Sequence, residues 1–236
     1  PRPIARFARC LNGGAVTSAS SELRGKSSAS RDGRYHHGSL REALLLRAAE
    51  VIEECGLEAL SLRGLARDLG VSHGAPNRHF RSKEALLAAL ASKGFEEARA
   101  ATLAAKEKAD PDPWCQLNAM GRGYLRWAIA NRTLFHVMEH PDVARQADPE
   151  LLSRIAATQQ MVKDAVFAAQ LAGRYPEVDL DRLTLFTHAV PHGVAHLLTN
   201  PIFEDALEPD ELDDFVTQII EFVVPLRGRL HREARS

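Results

Sequence analysis

The sequence predicts an all-α fold, with a small N-terminal three-helix unit containing a helix-turn-helix and a larger helical body behind it. Three observations carry this. From Ser39 onward, apolar residues recur at three- and four-residue spacing. No stretch alternates apolar and polar residues as a half-buried strand would. Gly, Pro and Asp fall where helices must start and stop. Hydrophobic residues make up 45% of the 236, enough to build a core, so global disorder is excluded.

Residues 1–33 stand apart. Gly13-Gly14 and the serines at 18, 20, 21, 27, 28 and 30 leave little to pack, and the segment reads as a disordered arm. Arg2, Arg6 and Arg9 interrupt the apolar run a secretory signal needs. The Arg- and Ser-rich bias is shared with transit peptides, but a flexible arm is the preferred reading. A first helix follows, with Leu40, Leu44, Ala48, Val51, Ile52 and Cys55 on one face. Ser39 and Glu42 suit a capping box, and Gly56 a stop. A second runs from Ser61 to about Leu69, a third from Val71 or Ser72 to Phe80, and a fourth starts at Ser82. The boundary is set near residue 90, giving units 34–90 and 91–236. In the larger unit Asp110-Pro111-Asp112-Pro113 is a break, with Pro113 in the first turn of a helix reaching about Ile129. A shorter helix covers Asn131 to Glu139. Asp148 and Asp179 cap two long helices, the second ending at Asn200-Pro201, and a last helix runs from about Pro209 to Arg227.

The net charge of −1 hides an asymmetry. Residues 1–90 carry 14 Lys and Arg against 9 Asp and Glu, and the rest carries 16 against 22. A basic first third on an acidic body suits binding a polyanion at one end. Cys10, Cys55 and Cys115 are too few and scattered for a disulfide framework or zinc site, which favours a reducing compartment. No apolar run reaches membrane-span length, so no membrane partner is expected.

The segment Ser61 to Ser72 has the form of a helix-turn-helix. Ala66 is small where two helices approach, Gly70 supplies a left-handed C-terminus, Val71 plugs the angle, and Ser72 caps the next helix. The next helix presents His73, Gly74, Asn77 and Arg78 outward, with His79, Arg81 and Lys83 beyond. Between Asp68 and Glu84 there is no acidic residue, so a phosphate backbone can approach without repulsion. Ser82-Lys83 opens a helix whose free N–H groups suit a phosphate.

The run Val71-Ser72-His73-Gly74-Ala75-Pro76-Asn77-Arg78-His79-Phe80-Arg81-Ser82-Lys83-Glu84-Ala85-Leu86, with the lead-in Arg34-Tyr35-His36-His37-Gly38-Ser39-Leu40, closely resembles the signature of the TetR family of transcriptional regulators. The resemblance covers roughly Tyr35 to Leu90. It implies base-edge contacts from His73, Gly74 and Ala75, phosphate contacts from Ser61, Arg63, Ser72, Asn77, His79 and Lys83, and a core role for Phe80. The family usually has Tyr where this chain has Asn77; Asn still donates to a phosphate but lacks the ring's packing. A WHG-like helical C-terminal domain is implied more weakly, by helix order and the pair His192-Gly193. The family's pattern implies a homodimer on an inverted-repeat duplex operator and a small-molecule effector, a repressor released by its ligand, and a cytoplasmic, nucleoid-associated location.

Within the body, Leu212, Phe215, Ile219, Phe222 and Leu226 form one stripe of the last helix, widened by Val216, Ile220 and Val223; Leu212, Phe215, Val216, Ile219, Phe222 and Val223 are the candidate dimer interface. Trp127, Phe135, Met138, Met161, Phe167, His188 and His192 are candidates for a ligand pocket, with an uncharged or weakly charged organic effector expected. His188, His192 and His196 recur every four residues, and the alternative they offer is a metal-responsive regulator. Lining or interface histidines are preferred, since Pro191 interrupts the helix between His188 and His192 and no cysteine or carboxylate cluster accompanies them. No metal or cofactor is therefore expected. There is no paired Glu-x-x-His, Gly-rich phosphate loop, H-E-x-x-H or G-x-S-x-G, so no enzyme is expected. A helical protein-interaction module is the remaining alternative, disfavoured by the acid-free segment.

Overall fold

Helix α1 spans His37–Cys55 and α2 spans Leu62–Asp68, the opening elements of a computed structural model that describes residues 37–203 and 211–223. The arm expected over 1–33 lies outside the described residues, as does the side chain of Ser39 and with it the expected capping box. Gly56, at φ 83°, ends α1, and a 3-10 turn over Leu57–Ala59 that the sequence did not signal leads into α2. The Ser61 side chain caps α2 by accepting from the Gly64 N–H at 3.1 Å. Gly70, at φ 65°, ends it, with the Val71 N–H reaching back to the Ala66 carbonyl.

The expected third helix does not form as one. Turns cover 73–75 and a 3-10 turn covers Pro76–Arg78. Pro76 has no N–H to give the Ser72 carbonyl, which accepts from Ala75 instead. The cap expected of the Ser72 side chain is absent: Ala75 holds the N-cap position, with no side-chain hydrogen bond. Leu44, Leu45, Ala48, Leu60, Leu65, Ala66, Pro76, Phe80 and Leu86 are buried and form the core of this unit. Arg47 ties α1 to α2 through Asp68 at 3.1 Å.

Residues to Leu86 form one compact unit and residues from Leu87 a second, with α3 spanning Lys83–Glu107. The second unit continues with α4 (Pro113–Ala130), α5 (Arg132–Met138), α6 (Pro141–Arg145), α7 (Pro149–Leu171), α8 (Leu180–Leu198) and α9 (Leu212–Val223). Helix α6 is the element the sequence reading missed; it is a single short turn entered through Pro141. Asp112, Asp148 and Asp179 cap α4, α7 and α8 through their carboxylates; the last two were expected from their positions.

Two cores hold this unit. One gathers Ala98, Leu125, Trp127, Ala128, Phe135, Ala195 and Val216. The other gathers Leu117, Met120, Ala165, Val166 and Ala169 from α4 and α7, with Leu180 and Leu183 of α8 against it. At Gly123 a Cβ would meet the Ala105 methyl at 2.6 Å, so only glycine lets α4 come this close to α3. No strand occurs among the described residues, and no helix among them is long and apolar enough to cross a membrane.

Candidate nucleic-acid interface and cavity

The turn after α2 presents a continuous polar surface. Ser72, His73, Gly74, Asn77, Arg78 and Arg81 are exposed, as are Ser61 and Arg63 at the start of α2, while Ala75 and His79 are half-buried. Pro76 and Phe80 alternate inward, anchoring the segment to the core. The guanidinium of Arg41 lies 5.4 Å over the Phe80 ring, which fixes that aromatic further. The presented groups are therefore hydrogen-bond donors and cations on a rigid base, the chemistry needed to meet phosphates and base edges.

Lys83 has a partner within the small unit. Its ammonium donates to the Leu57 carbonyl at 2.8 Å, tying the start of α3 to the 3-10 turn after α1. Two of its three N–H groups remain for other partners. Its neighbour Ser82 caps α3, accepting from the Ala85 N–H at 3.2 Å.

The second unit holds a cavity of about 560 Å³. Its wall is one face of α4 (Trp114, Leu117, Asn118, Gly121), one face of α8 (Arg182, Leu183, Phe186, Thr187, Val190, Pro191), Val166 and Ala169 of α7, Ile220 of α9, and the α7–α8 loop. That loop is tightly built. Gly173 and Tyr175 both have positive φ, 88° and 51°. The Gln170 amide donates to the carbonyls of Tyr175 at 3.0 Å and Val178 at 2.8 Å, holding a tyrosine in a backbone region that disfavours it. Its ring packs 5.9 Å from Trp114, and burial raises its phenol pKa. Arg174 stacks over the other ring of the pair at 5.3 Å.

None of the seven pocket candidates lines this cavity. Trp127 and Phe135 are buried in the first core and Met138 packs beside them; Met161 packs on the second. Phe167 is 50% exposed. The residues that do line it gather around a charged loop, which large apolar side chains taken singly do not signal. The i, i+3, i+4, i+7 series of Trp114, Leu117, Asn118 and Gly121 was the available signal.

His188 and His192 lie on a neighbouring face of α8, in a polar cluster. Glu139 meets His192 Nε2 with one carboxylate oxygen and His196 Nδ1 with the other at 3.0 Å. A carboxylate only accepts, so Nε2 of His192 carries the proton, and in the neutral ring Nδ1 accepts from the Tyr124 hydroxyl at 2.9 Å. Burial, with the Glu139 charge behind it, pushes the Tyr124 phenol well above its ordinary pKa. His188 stacks on His192 with ring centroids 5.8 Å apart. It keeps much of its surface open, yet the enclosed side of the ring dominates, so desolvation, then the neighbouring His192, lowers its pKa. Among the described residues no three His, Cys, Asp or Glu side chains gather to hold a metal.

The interface candidates on α9 divide. Val216 is fully buried within its own chain, which corrects its assignment to a dimer surface, and Ile219 packs on the same core. Phe215 is half-buried. The side chains of Leu212, Phe222 and Val223 lie outside the described residues. Exposed apolar side chains stand on α7 and α8, among them Leu152, Phe167, Leu171, Leu185 and Leu197, and also on α1 (Leu46) and just after α8 (Ile202, Phe203).

A small unit presenting cationic and donor groups from a helix-turn-helix, joined to an all-helical unit with its own cavity, defines the class of DNA-binding transcriptional regulators. Comparison with known proteins agrees. Residues 44–90 match the family of bacterial regulatory proteins of the tetR type, and residues 117–223 match the tetracyclin repressor-like C-terminal domain. A solved protein of unknown function from Rhodococcus sp. RHA1 is 35% identical, with TM-score 0.68, covering 81% of this chain and 97% of that one. A tetR-family regulatory protein from Rhodococcus RHA1 shares the fold at 22% identity and TM-score 0.61, covering 78% and 96%. The class C tetracycline repressor protein of Escherichia coli is 47% identical over 51 residues, a match spanning 22% of this chain and 23% of that protein. The chain belongs to the TetR family.

Proposed function

We propose that this protein is a repressor that binds an inverted-repeat operator as a homodimer and is released by a small organic molecule occupying the cavity between α4, α7 and α8. It acts by binding, without catalysis, in the cytoplasm, on nucleoid DNA. The observation that carries the DNA half is the acid-free, exposed run from Ser72 to Arg81 on its Pro76–Phe80 anchor. What supports the effector half is the cavity volume, which falls inside the roughly 300–1,000 Å³ range of small-molecule sites. Base reading is assigned to His73, Gly74 and Ala75. Phosphate positioning is assigned to Ser61, Arg63, Ser72, Asn77, Arg78 and His79, with Lys83 contributing through its remaining N–H groups.

In vitro selection of duplex DNA by the full chain tests this directly. The expected product is an inverted repeat whose half-sites lie one helical turn, about 34 Å, or a multiple of that apart. Arg78→Ala should weaken binding to all sequences alike and lower the salt slope by about 0.9. His73→Ala should instead alter the selected bases. Selection without any sequence preference, or identical behaviour of the two variants, would overturn the assignment.

A further inference from the structure

The charges in the cavity wall are segregated. All four charged lining residues, Arg174, Glu177, Asp179 and Arg182, come from the α7–α8 loop and the first turn of α8. Trp114, in the first turn of α4, packs on Tyr175 of that loop, so α4 and α8 both begin at this end. Moving along the two helices away from it, the wall becomes uncharged at Asn118 and Thr187. It is then wholly apolar at Gly121, Val190 and Pro191, with Ile220 closing on Gly121: a Cβ there would meet the isoleucine Cδ1 at 3.1 Å. Trp114 to Gly121 on α4 and Arg182 to Pro191 on α8 give this gradient a length of roughly 10–14 Å, at about 1.5 Å per residue.

The acids and bases at the charged end are not equivalent. Asp179 is engaged with the start of α8, accepting from the Arg182 N–H at 3.0 Å. Asp112, whose carboxylate feels the Arg174 charge, accepts from the N–H groups of Trp114 and Cys115, both at 3.0 Å. Those backbone bonds first, and the Arg174 charge last, lower its pKa. Both carboxylates thus serve helix N-termini. Neither Arg174 nor Arg182 has a carboxylate in salt-bridge contact among the described residues. The Arg174 guanidinium lies instead over the Trp114 ring, 5.3 Å from its centroid. Two planar guanidinium forks lining one end of the cavity without carboxylate partners, next to an apolar slot, suit one small planar anion on an apolar stem.

We propose that the cavity takes an amphipathic monocarboxylate, tail first. Its carboxylate sits at Arg174 and Arg182, and its tail lies against Gly121, Val190, Pro191 and Ile220. This rests on the reading of the cavity as the effector site, and narrows that effector to one chemical class. Glu177 faces the same end and excludes a second negative charge on the head group.

The test uses the full chain and three probes of equal tail: octanoate, 1-octanol and octylamine. Trp114 and Trp127 are the two tryptophans. Only Trp114 lines the cavity, so its fluorescence reports occupancy, and Trp114→Phe should abolish the response. Octanoate should bind at least tenfold more tightly than octanol, and octylamine most weakly. Arg182→Gln and Arg174→Gln should bring octanoate down to the affinity of octanol and leave octanol unchanged, with unaltered thermal unfolding. Octanol or octylamine binding as tightly as octanoate would overturn the carboxylate assignment and leave the cavity an effector site. Arginine variants that keep the octanoate preference would do the same. Binding of none of the three would overturn both readings.

Discussion

Gly70 is where a single residue type is required. Its φ of 65° closes α2, and a Cβ built on it meets nothing within 4 Å, so a side chain there is opposed by backbone strain alone. Gly70→Ala should destabilise the small unit by about 1–2 kcal/mol, the cost of an L-residue in the left-handed region. Gly70→Asn should cost less, because asparagine tolerates it. Urea unfolding followed by circular dichroism checks both: a lower midpoint for Ala than for Asn at unchanged slope is the expected result, and equal midpoints would refute the strain argument. This requirement was legible in the sequence, since a glycine after a short amphipathic run has few other uses. The bond from Lys83 to the Leu57 carbonyl was not. Its partner is a backbone oxygen 26 residues away, and no spacing rule points to a carbonyl.

On α8, one helix has two working faces. Leu183, Thr187, Val190 and Pro191 turn to the cavity. His188 and His192 turn to Tyr124 and Glu139. The histidine ladder was visible as a four-residue repeat, but which face it occupied depended on what α4 and α5 brought opposite. His188 carries the pH consequence. Its folded pKa is lowered from 6.5 by burial and by His192, so below that value the unfolded chain binds the extra proton and the folded chain resists it. Stability present above about pH 6.5 is therefore lost as pH falls toward the folded pKa. His188→Asn should show a smaller fall in melting temperature than the parent between about pH 7.5 and 5.5. Parallel falls would show that His188 titrates freely in the folded protein.

For the whole molecule, the exposed apolar surface is where we propose that a second copy docks. Leu171 is 74% and Leu185 70% exposed on adjoining helices, whereas Val216, on the helix with the broadest apolar stripe, is enclosed by its own chain. The dimer surface is accordingly proposed on α7 and α8. Leu185→Asp should yield a folded monomer in sedimentation that no longer holds an inverted-repeat operator at concentrations where the parent binds fully. A dimeric variant would move the interface elsewhere. The breadth of the α9 stripe was misleading because α9 packs on both α4 and α8, and a helix with two intramolecular neighbours looks, in sequence, like one with a neighbour and a partner.

The sequence by itself determined the helical class, the Asp148 and Asp179 caps and the order of the main helices, because these follow from contacts within a few residues along the chain. The run of exposed donors and cations over residues 72–81 was legible there too, but the helix expected over it was not formed, because Pro76 interrupts it. Only the tertiary structure decided which apolar residues became core, cavity wall or free surface. Trp127, Phe135 and Val216 went to the core, Leu117 and Val190 to the wall, Leu171 and Leu185 to the surface. An apolar side chain is driven out of water equally by any apolar neighbour, so its destination is set by which helices meet, and that is not written in its own spacing.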